Sequence, residues 1–300
     1  MGALAGPRAH LNSDLPLVTP SPTAATRVVA LLGTPVSHSL SPVFQNAALR
    51  AAGLDGVYVA LRCDAAAFPG LLRGIARAGG AGNVTVPHKE AAAVAVERAT
   101  AAVERTGACN AFWLEGGEVW GDNTDVAGFA GAARVLLGRE PRGARVLLAG
   151  AGGAARAVLC ALADAGADGV VVLNRTPGRA AALAAAFGGG GLRVAVAGSS
   201  AELAGERFDL AVNSTALGLR PGDPHPLPLE GGPAFGAALD LVYAPDETAW
   251  VRAVRERGVP AADGLEMLLR QGAAAFERWW GIPAPLDAMR AALSPRGGAA

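Results

Sequence analysis

Residues 145–156 read Arg-Val-Leu-Leu-Ala-Gly-Ala-Gly-Gly-Ala-Ala-Arg. The aliphatic run Val146, Leu147 and Leu148 meets Gly150, Gly152 and Gly153, then passes without a gap into the Ala/Leu-rich segment 154–163. That order predicts a buried strand, a tight turn and a helix. Glycines at the first and third positions let the backbone turn sharply and approach a pyrophosphate closely, while the helix amides and dipole face its negative charge. Ala155 stands where a third glycine often sits, and it still lets helix and strand pack. In a chain with 41 glycines the pattern G-x-G-x-x-A says little by itself. The strand before it and the helix after it supply the context a dinucleotide turn requires.

The next strand, expected over 170–173, indicates which dinucleotide. An NAD site would end it in Asp or Glu to hold the ribose 2′-hydroxyl. Here it ends in Asn174-Arg175-Thr176, with Arg179 one turn into the following helix. No carboxylate is present to repel a 2′-phosphate, and two guanidiniums and a hydroxyl could hold one. A hydrogen bond to a charged group is worth ~1.5–3 kcal/mol, so losing one changes preference by more than about tenfold. NADP is expected over NAD; two solvated arginines at a helix start are the plainer alternative.

Three hundred residues with 51% hydrophobic content suit two domains. Lys+Arg and Asp+Glu both number 26, so no basic field exists to attract nucleic acid or anionic lipid, and a small-molecule substrate is expected. Mean hydropathy is high, +0.31, yet charges interrupt every apolar run before the ~18–20 residues of a membrane span. Residues 1–25, with Pro7, Pro16, Pro20 and Pro22, lack an apolar core of signal-peptide length and read as a loose extension. Cys63, Cys109 and Cys160 show no C-x-x-C spacing, which fits a reducing cytoplasm. His10, His38, His88 and His225 form no ligand cluster, so no metal is expected.

Upstream of the dinucleotide turn, a strand over 28–32 runs into Ser37-His38-Ser39-Leu40-Ser41-Pro42. Ser41 followed by Pro42 reads as an N-cap with proline at the first helical position. Ser39 and Ser41 then lie at the carboxyl end of a strand, where α/β sheets bind ligands; ordinary turn serines explain them equally well. A strand over 57–61 and a helix carrying Phe68, Leu71, Leu72 and Ile75 follow. In Asn83-Val84-Thr85-Val86-Pro87-His88-Lys89 a short strand is stopped by proline, and Lys89 falls in the first helical turn, where its charge opposes the helix dipole. A hairpin signal at 115–118 returns Asn110 and Asp125 to one end of the sheet. Asp125 either caps the helix 126–137 or pairs with Lys89 to exchange a proton with a substrate hydroxyl. Spacing alone leaves both readings open.

Residues 138–143 read as the linker to the nucleotide strand. Beyond Arg179, strands are expected over 192–196, 208–212 and 237–241, with a Pro-rich loop at 221–228. Tyr243 falls at the rim of the last strand. An amphipathic helix reaches 257, and a long one runs over 264–280 with Leu265, Leu268, Leu269, Ala273 and Phe276 inward.

Taken together, Ser39-Leu40-Ser41-Pro42 with Asn46, the 83–89 segment, Gly107-Ala108-Cys109-Asn110, Asp122-Asn123-Thr124-Asp125-Val126-Ala127-Gly128, the glycine turn, Asn174-Arg175-Thr176, Asp240-Leu241-Val242-Tyr243 and Gly264 through Gln271 occur in the order found in shikimate dehydrogenases. The resemblance covers about 28–293. It implies an NADPH-dependent oxidoreductase that reversibly reduces 3-dehydroshikimate to shikimate in chorismate and aromatic amino acid biosynthesis. Quinate/shikimate and aminoshikimate dehydrogenases are its near alternatives, and a non-catalytic NADP-binding regulatory module a more distant one. The resemblance marks Lys89 and Asp125 as catalytic. Both also match substrate-binding positions, as do Ser39, Ser41, Thr85, Asn110, Tyr243 and Gln271. Cofactor positions match at Gly150, Ala151, Gly152, Gly153, Ala154, Asn174, Arg175, Thr176, Arg179, Leu241 and Gly264. The implied fold is two-domain α/β: a substrate domain over 26–128, a Rossmann-like doubly wound NADP domain over 129–263, and C-terminal helices over 264–300 packing back on the first. Cys109, Ala111 and Gln45 stand where the family more often has Val, Thr and His; none removes a reacting group. Monomer and homodimer both remain open.

Overall fold

The computed structural model describes residues 22–294 except 190, 221 and 245. Most of the expected N-terminal extension, residues 1–21, therefore lies outside the described residues.

The first sheet is built from β1 (Arg27–Gly33), β2 (Gly56–Arg62), β3 (Ala81–Val84), β4 (Arg98–Ala99), β5 (Ala111–Glu115) and β6 (Glu118–Asp122) in the order β2-β1-β3-β5-β6-β4. β5 runs antiparallel to both β3 and β6, and the remaining pairs are parallel. Helices α1 (Ser41–Ala51), α2 (Phe68–Arg77), α3 (Lys89–Ala95) and α4 (Ala101–Thr106) connect the strands. One face of the sheet packs Leu72, Phe68 and Phe112 beneath α2, and the other packs Phe44, Phe276 and Trp279.

Helix α5 (Asp125–Leu137) leaves this sheet for the second one. There β7 (Arg145–Ala149), β8 (Gly169–Leu173), β9 (Arg193–Ala197), β11 (Leu210–Asn213), β13 (Ala238–Asp240) and β14 (Ala261–Ala262) take the order β14-β13-β11-β7-β8-β9, all parallel. Helices α6 (Gly153–Ala165), α7 (Pro177–Phe187) and α8 (Ala249–Arg255) flank it. The chain winds one way from β7 through β9 and the other way from β11 through β14. The crevice at this reversal, between β7 and β11, is where doubly wound sheets take their ligands.

The strand expected over 208–212 is two pieces. β10 (Arg207–Phe208) pairs with a short β12 (Ala234–Phe235), and Asp209 breaks the run. Its carboxylate accepts from the Arg145 amide and its own amide donates to the Arg145 carbonyl, so β11 starts one residue later. Helix–strand alternation also thins here: a single 3-10 turn precedes β10, and the Pro-rich loop with β12 replaces a helix before β13.

Helix α9 (Leu265–Trp280) crosses back to the first sheet, and α10 (Leu286–Leu293) packs there beside α1. Met267 and Leu269 are buried on α9, whereas Leu265 and Leu268 are only partly covered. Helices α5 and α9 lie against each other through glycines. A Cβ on Gly128 would come 2.8 Å from the Gln271 Cβ, and one on Gly131 2.3 Å from the Arg270 Cδ. The expected domain boundaries at 128/129 and 263/264 fall inside α5 and just before α9.

A third close approach makes a stability prediction. A Cβ on Gly272 would sit 2.4 Å from the ring of Phe44, which is wholly buried on α1. Overpacking costs ~1–3 kcal/mol, more than the ~1 kcal/mol that Ala gains over Gly in a helix. Gly272→Ala should lower the urea midpoint with an unchanged slope; an equal or higher midpoint would mean that Phe44 has room to turn.

Candidate active site

Lys89 opens α3, directly after the N-cap residue His88, and Asp125 opens α5. Their side chains meet: Lys89 Nζ lies 2.5 Å from Asp125 Oδ2. Among the described residues the Asp125 oxygens are taken by side chains, Oδ2 by Lys89 and Oδ1 by Asn110 Nδ2 at 2.9 Å. Of the two readings open for Asp125, pairing with Lys89 is the one observed. The carboxylate also offsets the lysine's unfavourable place at a helix start.

Asn110 is fixed on every side. Its Oδ1 accepts from the Thr124 amide at 2.7 Å and the Thr124 hydroxyl at 3.1 Å, and its Nδ2 also reaches Gln271 Oε1 at 3.3 Å. Gln271, on the buried side of α9, donates to the Leu268 carbonyl at 2.8 Å. A helix that returns from the second sheet thus completes a site built on the first.

Ser41 does not cap α1. The helix begins at Ser41 itself, and Ser39 Oγ accepts from the Ser41 amide at 3.2 Å. The Ser41 side chain is buried, close to Tyr58. Burial pushes the Tyr58 phenol well above its ordinary pKa, which keeps it neutral and a donor. It donates to Asn83 Oδ1 at 2.8 Å, and Asn83 Nδ2 donates to the Asn110 carbonyl at 2.9 Å.

Ser39, Ser41, Thr85, Lys89, Asn110, Asp125, Tyr243 and Gln271 all line one cavity of about 230 Å³. The second sheet closes it with Leu241, Gly264 and Ala154, the last in the first turn of α6. Gly264 has no room for a side chain, since a Cβ would fall 2.4 Å from the Leu241 carbonyl oxygen. Tyr243 lies just beyond β13, whose last residue, Asp240, takes hydrogen bonds from Asn213, Thr248 and the Val242 amide. Burial raises the Asp240 carboxyl above its ordinary pKa, and those donors oppose the shift.

The glycine turn adjoins this cavity. Gly150 has φ +109°, and a Cβ there would lie 2.5 Å from Ser214 Oγ, on the loop after β11. A Cβ on Gly152 or Gly153 would meet nothing within 4 Å, which leaves the backbone of the turn, with Ala151 between, open to a ligand. Asn174, Arg175, Thr176 and Arg179 lie apart from the cavity, at the end of β8 and the start of α7. Arg175 and Arg179 are exposed, and neither pairs with a carboxylate among the described residues. The strand end, the open turn and the unengaged guanidiniums fit a phosphorylated dinucleotide.

Asn83 and Met267 also line the cavity and Tyr58 supports it, with no site role expected for them from sequence, and Leu268, expected only as a packing residue, lines it too. Asn83 carried a signal, a lone amide inside a four-residue strand buried throughout. Tyr58 reads like any other aromatic strand residue and carried none.

The chain matches the family model described as shikimate dehydrogenase substrate binding domain over residues 31–112. The models described as shikimate / quinate 5-dehydrogenase and shikimate 5'-dehydrogenase C-terminal domain match over 133–217 and 264–293. A shikimate dehydrogenase (NADP(+)) of Rubrobacter xylanophilus is 46% identical over 277 residues, 91% of this chain and 97% of the relative. The chain belongs to the shikimate dehydrogenase family. Solved structures of shikimate dehydrogenases agree. That of Aquifex aeolicus superposes with a TM-score of 0.83 at 34% identity, covering 91% of this chain and 99% of the other. The Thermus thermophilus enzyme, solved in complex with NADP(H) and shikimate, gives 0.79 at 40% identity, covering 89% and 98%. Among the described residues no helix is long and apolar enough to cross a membrane.

Proposed function

We propose that this protein is an NADP-dependent shikimate dehydrogenase, reducing 3-dehydroshikimate to shikimate and reversing that step, in the route to chorismate. The observation that carries the reading is the Lys89–Asp125 pair, 2.5 Å apart in a cavity whose other wall begins at the dinucleotide turn. When bound, the reduced dinucleotide supplies the hydride that the ketone carbon accepts. Lys89 gives its ammonium proton to the carbonyl oxygen as that carbon becomes a hydroxyl-bearing one, and is left as the neutral amine. In reverse, the neutral Lys89 takes the hydroxyl proton. Its side chain remains 23% exposed, so solvent can restore the proton. Positioned acid–base catalysis of this kind is typically worth ~10²–10⁴ in rate.

Asp125, held by Asn110 as well as Lys89, fixes the ammonium and offers an oxygen to a ring hydroxyl. Thr85, Asn110 and Gln271 suit further ring hydroxyls, and Ser39, Ser41 and Tyr243 suit a carboxylate. Arg175 and Arg179 receive the 2′-phosphate beside Asn174 and Thr176. On this reading the substrate domain spans 26–128, the NADP domain 129–263, and the helices from 264 onward complete the substrate site. NADPH absorbance should fall when 3-dehydroshikimate is added. NADP with shikimate should turn over faster than NADP with quinate or NAD with either. Faster turnover of quinate would move the assignment within the family, and no turnover in any combination would reject it.

A further inference from the structure

We propose that Arg156 is a positioning residue that sets the catalytic pair relative to the dinucleotide turn; this rests on the reading just given. Arg156 lies in the second turn of α6, the helix whose start faces the dinucleotide, but its side chain is directed to the other lobe. Its Nη1 donates to the Thr106 carbonyl at 3.3 Å. Thr106 is the last residue of α4, so that carbonyl lacks a helical partner, and Gly107 follows with φ +63°. A cationic donor at a helix end meets an orphan carbonyl and favours the dipole there.

From Thr106 the contacts lead to the chemistry through buried polar groups. Asn123, 2% exposed, donates through Nδ2 to Thr106 Oγ1 at 2.9 Å and to the Ala108 carbonyl at 3.0 Å. Asn123 Oδ1 accepts the Asp125 amide at 3.3 Å. The anchored segment 106–110 ends at Asn110, which holds the Asp125 carboxylate. Arg156 thus ties a helix of one lobe to the loop that orients both members of the pair. Four and eight residues along the same stripe of α6, the Cys160 carbonyl and Asp164 engage Arg105, at 3.3 and 2.7 Å. That outer contact is an exposed ion pair, 42% and 53% accessible, and contributes little.

Arg156→Met should lower kcat about tenfold, since small misplacements of reacting groups carry penalties of this size or more. The KM for shikimate and the Kd for NADP should stay within about twofold of wild type, and Arg156→Lys should recover part of the loss. Arg105→Met serves as the control for a loosened α4–α6 contact and should leave kcat within about twofold. Amide hydrogen exchange over 106–110 should quicken in Arg156→Met and not in Arg105→Met, a readout independent of any substrate. A kcat loss no greater than that of Arg105→Met, or unchanged exchange, would overturn the proposal. So would an effect confined to NADP Kd, which would mean that the guanidinium holds the dinucleotide itself. Should Arg156→Met fail to fold, Arg156→Lys carries the same comparison. An inactive wild type would sink the dehydrogenase reading, leaving the exchange result to decide whether Arg156 orders the loop.

Discussion

Replacing Lys89 by alanine is expected to lower kcat about 10²–10⁴-fold while NADP binds as before. Alanine removes the side chain beyond its β-carbon, and the ammonium's partner among the described residues is Asp125, so the glycine turn and the Arg175–Arg179 region lose no contact. Lys89→Met keeps most of the volume and isolates the proton. Both variants should fall in kcat and kcat/KM together, as happens when an interaction made mainly in the transition state is removed. Asp125 then stays behind without its cation, still held by Asn110. Turnover equal to wild type in either variant would remove Lys89 from the chemistry. Lost NADP affinity measured by equilibrium titration would point instead to a collapsed cleft.

The second large effect concerns the cofactor. Arg175 and Arg179 are exposed and pair with no carboxylate among the described residues, so truncating both to alanine disturbs little of the fold. Each charge-assisted bond to a phosphate is worth ~1.5–3 kcal/mol when well formed. Solvent exposure discounts that figure, and about tenfold per arginine is the reasonable expectation. Arg175→Ala/Arg179→Ala should therefore raise the KM for NADP about 10²-fold and leave the KM for NAD nearly unchanged. Steady-state rates with shikimate and each dinucleotide decide the matter. Equal losses for both dinucleotides would place the arginines on a group that NAD also carries, and no loss would make them ordinary surface cations.

Much of this arrangement could be read from sequence because its signals are local. The strand, glycine turn and helix at 145–165 are contiguous, and periodicity alone locates α2 and α9. Proline, capping and hairpin signals place Lys89 and Asn110 within a residue or so. What sequence could not supply was distance. Lys89 and Asp125 are 36 positions apart, and capping and pairing are equally good accounts of Asp125 until its oxygens are found on Lys89 and Asn110. Ser-Pro before an apolar helix is a sound local signal for a cap, yet the helix already includes Ser41, whose side chain is buried. Asp209 split a strand through contacts with Arg145, a residue 64 positions earlier. Gln271 had no local mark at all; family resemblance found it, and its contact with Asn110 spans 161 positions.

Helix α9 and the glycine face of α5 against it bear on how the halves can move. The polypeptide departs along one rod and comes home along a second; at Gly128 the first lies against the backbone of the second, and at Gly131 against the Arg270 side chain. Two parallel leaves joined along their length resist twisting and sideways slip far more than a single strap would, yet still permit bending about the line they share. Any opening between the two sheets would have to bend both helices together about the line they share.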